Sequence, residues 1–236
     1  LPAEVLARTA PNLADLGRVI VSGSHTSAGF ASLEKKISQI PLESVTNFMV
    51  STDLDLGKFA GEKAGLRVPM HYDYAVQEIT PEYNPLDPDI KLKDDLDSYD
   101  SKSEADSLKA LVIDHTTNQN INFMNVRKDR VDSKSKPRIY DIENFDVSFA
   151  YSKFRHRNID FEYDNQDQYR GGFGYNFNPK PKNYKPLDKV SFLKSKHLQL
   201  IKDFNFYVLP KVLSFRTDMD RNIRKVLYRD KSLGDI

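Results

Sequence analysis

The chain has neither cysteine nor tryptophan among its 236 residues. Without cysteine there is no disulfide framework and no thiolate for catalysis, although the compartment stays open, because a periplasmic or surface protein need not use disulfides. Net charge is nearly missing too: 35 Lys and Arg against 34 Asp and Glu leave +1. With no dense basic stripe carrying stacking rings, nucleic acid is not an expected partner. No window approaches the roughly 18 consecutive apolar residues of a spanning helix, which excludes a helical membrane protein and says nothing against a barrel.

Signatures of bond chemistry are also scarce. His25, His71, His115, His156 and His197 form no i, i+2 or i, i+4 pair with a third ligand nearby, so they read as ordinary surface or wall residues. Asp87, Asp89, Asp94, Asp95, Asp97 and Asp100 lack the central Gly and terminal Glu of a calcium loop and read as a solvated acidic loop. Gly171, Gly172 and Gly174 are not followed by Lys-Ser or Lys-Thr and have strand-like sequence on both sides, so a phosphate cradle is not expected. There is no G-x-S-x-G elbow, and scattered carboxylates do not make an acid/base pair. The expectation is a non-enzyme without cofactor or metal.

What the chain does have is period-two patterning. From Leu66 to Glu78, the residues Leu66, Val68, Met70, Tyr72, Tyr74 and Val76 share one face, and Arg67, Pro69, His71, Asp73, Ala75 and Gln77 the other. A helix would scatter those apolar residues around its axis; a long half-buried strand aligns them. Thr46 to Leu56 repeats the rule with Phe48, Val50 and Leu54, and the two strands read as a hairpin around Gly57, Gly61 and Gly65. Phe145, Val147, Phe149 and Tyr151 alternate with Asn144, Asp146, Ser148, Ala150 and Ser152, and the pattern continues through Ile159, Phe161 and Tyr163 and then Phe173, Tyr175 and Phe177. Twelve Tyr and fourteen Phe suit strands and interfacial girdles.

The organisation expected is a lead-in at 1–45 that is irregular or helical with one short strand at Val19 to Val21, then a long hairpin at 46–79. An acidic loop and surface helix follow at 80–117, with Ser101 and Glu104 at capping-box spacing. Antiparallel strands fill 118–178, starting weakly at Ile121, Phe123 and Val126. A Pro/Lys loop and short helix occupy 179–203, and bulged strands and a tail 204–236. Short amphipathic helices are expected over Phe30, Leu33, Ile37 and Ile40 and over Val190, Leu193, His197, Leu200 and Ile201. Parity slips between Phe204, Phe206 and Val208 and Leu213, Phe215 and Met219, which requires a break at Pro210. The chain opens at Leu1 and Pro2 with no apolar targeting segment, so a mature product or excised piece is expected.

Alternating Phe and Tyr suit two architectures. One is a soluble periplasmic or cell-surface β-sandwich acting as a binding module. The other is a transmembrane barrel, suggested by the small polar residues Asn144, Asp146, Ser148 and Ser152 and by strands longer than the usual five or six residues.

Several blocks point to the second. TAPNLADLGRVIVSG (Thr9 to Gly23), LGKFAGEKAGLRVP (Leu56 to Pro69), ITPEYNPLDPDI (Ile79 to Ile90), NVRKDR (Asn125 to Arg130), GGFGYNF (Gly171 to Phe177) and KDFNFYVLPKVLSFRTDMDR (Lys202 to Arg221) resemble, in order and character, the SprA/Sov family. This is the outer-membrane translocon of type IX secretion in Bacteroidetes-type bacteria, also tied to gliding motility. The likeness spans nearly the whole chain, and it lies in the succession of blocks, none of which is catalytic. It implies an all-β fold, an antiparallel transmembrane β-barrel segment with short helical insertions, as a fragment of a very large barrel that exports folded proteins. Implied partners are the remainder of the same barrel, a PorV-type shuttle barrel, a periplasmic plug protein, secreted cargo and outer-membrane lipid. On that resemblance Arg67, His71, Asp73, Gln77, Asn144, Asp146, Ser148 and Ser152 would face the lumen. Phe48, Val50, Leu54, Tyr72, Tyr74, Phe145, Val147 and Phe149 would face lipid.

Overall fold

The computed structural model describes residues 4–10, 16–29, 42–131, 137–179, 183–186, 204–208 and 210–230. Both amphipathic helices expected at 30–40 and 190–201 lie outside the described residues. Among the described residues thirteen strands and two α-helices follow in chain order: β1 Glu4–Thr9, β2 Gly17–Thr26, β3 Glu43–Asp55, β4 Leu66–Arg67, β5 Pro69–Pro81, β6 Tyr83–Asn84 and β7 Asp87–Lys91. Then come α1 Leu92–Ser98, α2 Lys102–Val112, β8 Asp114–Lys128, β9 Phe145–Arg157, β10 Phe161–Phe177, β11 Asn183–Tyr184, β12 Phe206–Tyr207 and β13 Leu213–Tyr228. The fold is mostly antiparallel sheet with few helices, as the alternation requires.

Eight strands form one meander in the order β1-β2-β3-β5-β8-β9-β10-β13, with β4 added to β8. Each long strand pairs with the long strand before and after it in sequence, the low-cost connectivity for antiparallel ribbons. Among the described residues β1 and β13 each keep one unpaired edge, so the sheet is an open arc. Among them no second long-stranded sheet lies over either face.

Local chemistry fixes the turns. At the end of β3, Asp55 Oδ1 accepts from the Gly57 and Val68 amides at 3.1 and 3.3 Å, folding Leu56–Ala60 into a 3-10 turn. Gly57 must be glycine, because a Cβ there would lie 2.0 Å from the Leu66 carbonyl oxygen. Midway along β8 the register slips between Phe123 and Val126, where Asn125 adopts φ 58° and its amide donates to Ser148 Oγ at 2.9 Å. This is a β-bulge, with the left-handed residue being the type that tolerates it.

Several expectations change. The lead-in carries a strand at Glu4–Thr9, paired residue by residue with β2, and β2 itself has ten residues where only three were apolar enough to read. The strand begun at Ile121 in fact starts at Asp114. Pairing on both sides recruits the polar run Thr116 to Asn120, which has no alternation of its own. The helix at 101 is real, yet the Ser101 side chain makes no capping bond; its carbonyl accepts from the Glu104 and Ala105 amides at 3.2 Å. The parity slip at Pro210 separates β12, which pairs with β11, from β13, which joins the main sheet.

A compact apolar core, among the described residues, exists only in the insertion. Leu92, Leu108 and Val112 of α1 and α2 are buried, with Leu96, Leu111 and Ile113 packed against them. Elsewhere in the described residues Phe177 is the one buried large apolar side chain. Among the described residues the main sheet thus leaves most of its large apolar side chains uncovered.

Candidate functional site: the two faces of the sheet

Directly paired residues of antiparallel strands share a face, so the registers assign every side chain on the long strands. One row runs Val19, Thr52, Tyr72, Ile121, Tyr151, Tyr169 and Arg221 from β2 to β13. The neighbouring row on the same face contains Leu54, Met70, Phe123, Phe149, Gly171 and Met219. All eight positions expected to be apolar (Phe48, Val50, Leu54, Tyr72, Tyr74, Phe145, Val147 and Phe149) fall on this one face. The structure adds Ile121, Phe123, Phe173, Tyr175, Phe215 and Met219. Rings meet across strands, with Phe145 5.1 Å from Tyr175 and Tyr151 4.9 Å from Tyr169 between centroids. Such contacts are worth about 0.5–1.5 kcal/mol each. Yet the face is uncovered: Phe149 is 44% exposed, Phe215 58% and Met219 73%.

The apolar stretch does not follow the rows. On β3 it runs from Phe48 to Leu54, centred one residue to one side of the row through Thr52. On β13 it runs from Leu213 to Met219, centred five residues to the other side of Arg221. Six residues of drift over five strand steps is about 1.2 residues, or roughly 4 Å, per 4.8 Å of sheet width, so the band crosses the strands as if they were tilted by about 40° from its normal. Its footprint, roughly 29 Å across six strands by 20 to 25 Å along them, is about 600–700 Å², at or beyond the largest patch that typical soluble monomers expose.

Polar groups bound the band on the same face. His25 hydrogen-bonds Thr46 at 2.9 Å, His115 meets Glu78 at 3.1 Å, and Arg155 holds Asp167 through two contacts of 2.8 and 2.9 Å. Tyrosines sit at the boundary with their hydroxyls turned to the polar side: Tyr72 Oη accepts from Gln119 at 3.1 Å and Tyr151 Oη donates to Asp167 at 2.8 Å. An amphipathic ring with one wet end suits that position.

The opposite face is mostly hydrophilic from β2 to β13, with isolated apolar members such as Ile20, Met49 and Phe154. His71 lies between two carboxylates, its Nδ1 2.6 Å from Asp53 and its Nε2 2.6 Å from Asp73, while Arg18 reaches Asp53 at 3.2 Å. Asn47 donates to Ser24 at 3.2 Å and accepts from Gln77 at 2.9 Å. Ser152 donates to Asn120 at 2.6 Å, Arg170 to Asp220 at 2.9 Å, and Arg224 grips Asp164 with bonds of 2.8 and 2.6 Å. Exposed pairs add at most about 1 kcal/mol each, so the network orders a wet surface more than it stabilises the sheet.

His71, Asp73, Gln77, Asp146, Ser148 and Ser152 all lie on this face. One other expected member is elsewhere. Asn144 ends the 3-10 turn Ile142–Asn144 before β9, buried, and its amide donates to the Arg138 and Ile139 carbonyls at 2.7 and 3.1 Å. Its parity with Asp146 is therefore that of a residue one step before the strand begins. Arg67, on the two-residue β4, pairs with Arg127, itself paired with Asp146, so the registers put it on the polar face as well, 3.4 Å from Asp129 just past β8. Sequence reading missed Asn118, Asn120, Asn122, Asp164, Arg170, Asp220 and Arg224, whose parity carries meaning only once β8, β10 and β13 are known to be neighbours.

Among the described residues no group of three or more His, Asp or Glu could hold a metal ion, and no helix is long and apolar enough to cross a membrane. Residues 3–96 match the SprA_N family, described as a motility related/secretion protein, and over this stretch the chain resembles that family. No curated protein matches the chain.

Proposed function

Taking a motility and secretion family over residues 3–96 as premise, we propose that the chain is a wall segment of an outer-membrane, protein-conducting β-barrel. Its apolar band faces lipid and its polar face lines a water-filled passage for folded proteins. One observation carries the reading: a continuous, uncovered apolar band confined to one face and inclined to the strands. A tilt of about 40° falls in the 35–45° range of membrane barrels, and the 13 to 17 residues of β3, β5, β8, β9, β10 and β13 exceed the 9 to 11 a spanning strand needs. Open edges on β1 and β13 fit an arc completed by further strands, since lipid does not tolerate unpaired backbone.

On this reading the wall is not an enzyme and uses no cofactor; it orients, excludes lipid and keeps the passage wet, and the energy for export enters from another component. Partners would be the rest of the barrel, a PorV-type shuttle barrel, a periplasmic plug and the cargo, as in type IX secretion and gliding adhesin export. The location would be the outer membrane of a Bacteroidetes-type bacterium. These 236 residues hold no cysteine, so within them each introduced thiol is the one labelled. Single Phe149→Cys and Asp146→Cys variants are labelled in native membranes with a water-soluble and a lipophilic maleimide. The reading expects the thiol introduced by Asp146→Cys to react with the aqueous reagent alone and the thiol introduced by Phe149→Cys with the lipophilic one alone. Equal aqueous labelling of both, or a cooperatively folded detergent-free monomer, would place the sheet in a soluble binding module instead.

A further inference from the structure

The two ends of the sheet differ in charge. Connections 10–16, 56–68, 129–144 and 178–212 leave from the end where β3 finishes and β5 begins, whereas 27–42, 82–113 and 158–160 leave from the other. Counting only described residues within those connections, the first end has seven Lys or Arg against four Asp or Glu, a net of +3. The second has four against ten, a net of −6.

At the basic end cations stand against exposed rings. Lys211 Nζ is 4.3 Å from the Tyr207 ring centroid, and Arg138 donates to Tyr140 Oη at 3.0 Å with its guanidinium 5.9 Å from that ring. Tyr140 is 73% exposed, and Tyr184 and Phe206 meet edge-on at 5.4 Å, also uncovered. This rim is continuous with the apolar band. Tyr175, on the band face, donates to the Ile139 carbonyl at 2.8 Å, and Leu213 and Phe215 of the band follow Lys211 closely in the chain.

We propose that this rim binds phosphate-bearing lipid headgroups, with Arg138 and Lys211 meeting the phosphates while Tyr140, Tyr207 and Phe206 lie at the acyl boundary. The inference rests on the lipid-facing reading of the band. Rings with one wet side collect at that depth, and Lys or Arg beside an anionic leaflet adds attraction that an acidic end could not supply. The opposite end would therefore face away from an anionic leaflet surface.

The test places the intact protein in vesicles containing photoreactive phosphatidylglycerol or phosphatidylcholine with identical acyl chains and maps the adducts by mass spectrometry. Peptides bearing Tyr140 and Tyr207 should take the anionic probe about 25-fold over the zwitterionic one, about fivefold for each of the two cations. In an Arg138→Gln, Lys211→Gln protein that preference should fall about fivefold per charge removed. Lys93→Gln with Lys102→Gln, at the acidic end, should leave it unchanged. Equal labelling by both lipids, indifference to the double substitution, or cross-links from the rim to a bound polypeptide in native membranes would each overturn the inference. If Phe149 and Phe173 take lipid adducts and the rim does not, this inference alone fails; if they too remain unlabelled, the lipid-facing reading fails with it.

Discussion

Asn122 and Phe123 are consecutive on β8 and point to opposite faces, so a lysine placed at each in turn measures the solvent on each side. Phe123 stands in the row of Leu54, Met70, Phe149, Gly171 and Met219. Averaged over the drift from β3 to β13, that row is the centre of the band. A lysine at the middle of a lipid-facing band costs about 2–4 kcal/mol, or roughly 30- to 900-fold in the folding equilibrium. Asn122 lies between His71 and Ala150 on the polar face, near Asp53 and Asp73, where a lysine meets water and balancing carboxylates. Asn122→Lys should therefore stay within about 0.5 kcal/mol of the parent. Guanidinium titration of the membrane-inserted protein in phosphatidylcholine vesicles reads both shifts. Stabilities of Phe123→Lys and Asn122→Lys within about 1 kcal/mol of each other, or a larger penalty for Asn122→Lys, would refute the assignment of faces.

Three further outcomes follow from local geometry. Gly57→Ala should destabilise the β3–β5 hairpin by about 1–3 kcal/mol, because its methyl would meet the Leu66 carbonyl oxygen at 2.0 Å and must push the turn apart; an unchanged guanidinium midpoint contradicts this. Leu92→Ala, at a side chain 2% exposed, should cost about 2–5 kcal/mol within the α1–α2 insertion and open 92–112 to protease while β8 to β10 stay protected. Protection of both regions would show that the insertion does not depend on that cluster. Hydrogen bonds from the Arg138 amide and then the Arg130 guanidinium hold the Asp141 carboxyl below its ordinary 3.8, so the stability these two contacts add is complete above that value and is lost as pH falls through the lower, folded one. Asp141→Asn should weaken the Arg138 contact and speed amide exchange at Arg138 at neutral pH, and unchanged exchange would count against the link.

Much of the site was legible because parity is a local property. Side chains alternate whatever the partner strand, so Tyr72 and His71, or Phe149 and Ser148, fall on opposite faces of any strand that contains them, and Pro210 has to interrupt a ladder wherever it stands. The all-β character and the membership of both faces on β3, β5 and β9 were set at that level. Strands without apolar alternation were not. Thr116 to Asn120 are extended because β5 and β9 pair with them on both sides, and Glu4–Thr9 is a strand because β2 offers an edge. Asn144 shows the reverse: its parity is right, but a 3-10 turn begins the strand one residue later and turns the amide onto the 138–139 backbone.

That these strands have one greasy and one wet side is written in the order of their residues, because alternation needs nothing beyond the pleat. That the greasy sides coincide across six neighbouring strands and drift as a tilted band is a property of the assembled sheet. Such alignment is set by registers, which depend on turns such as Gly57, on the bulge at Asn125 and on hydrogen bonds between residues far apart in the chain.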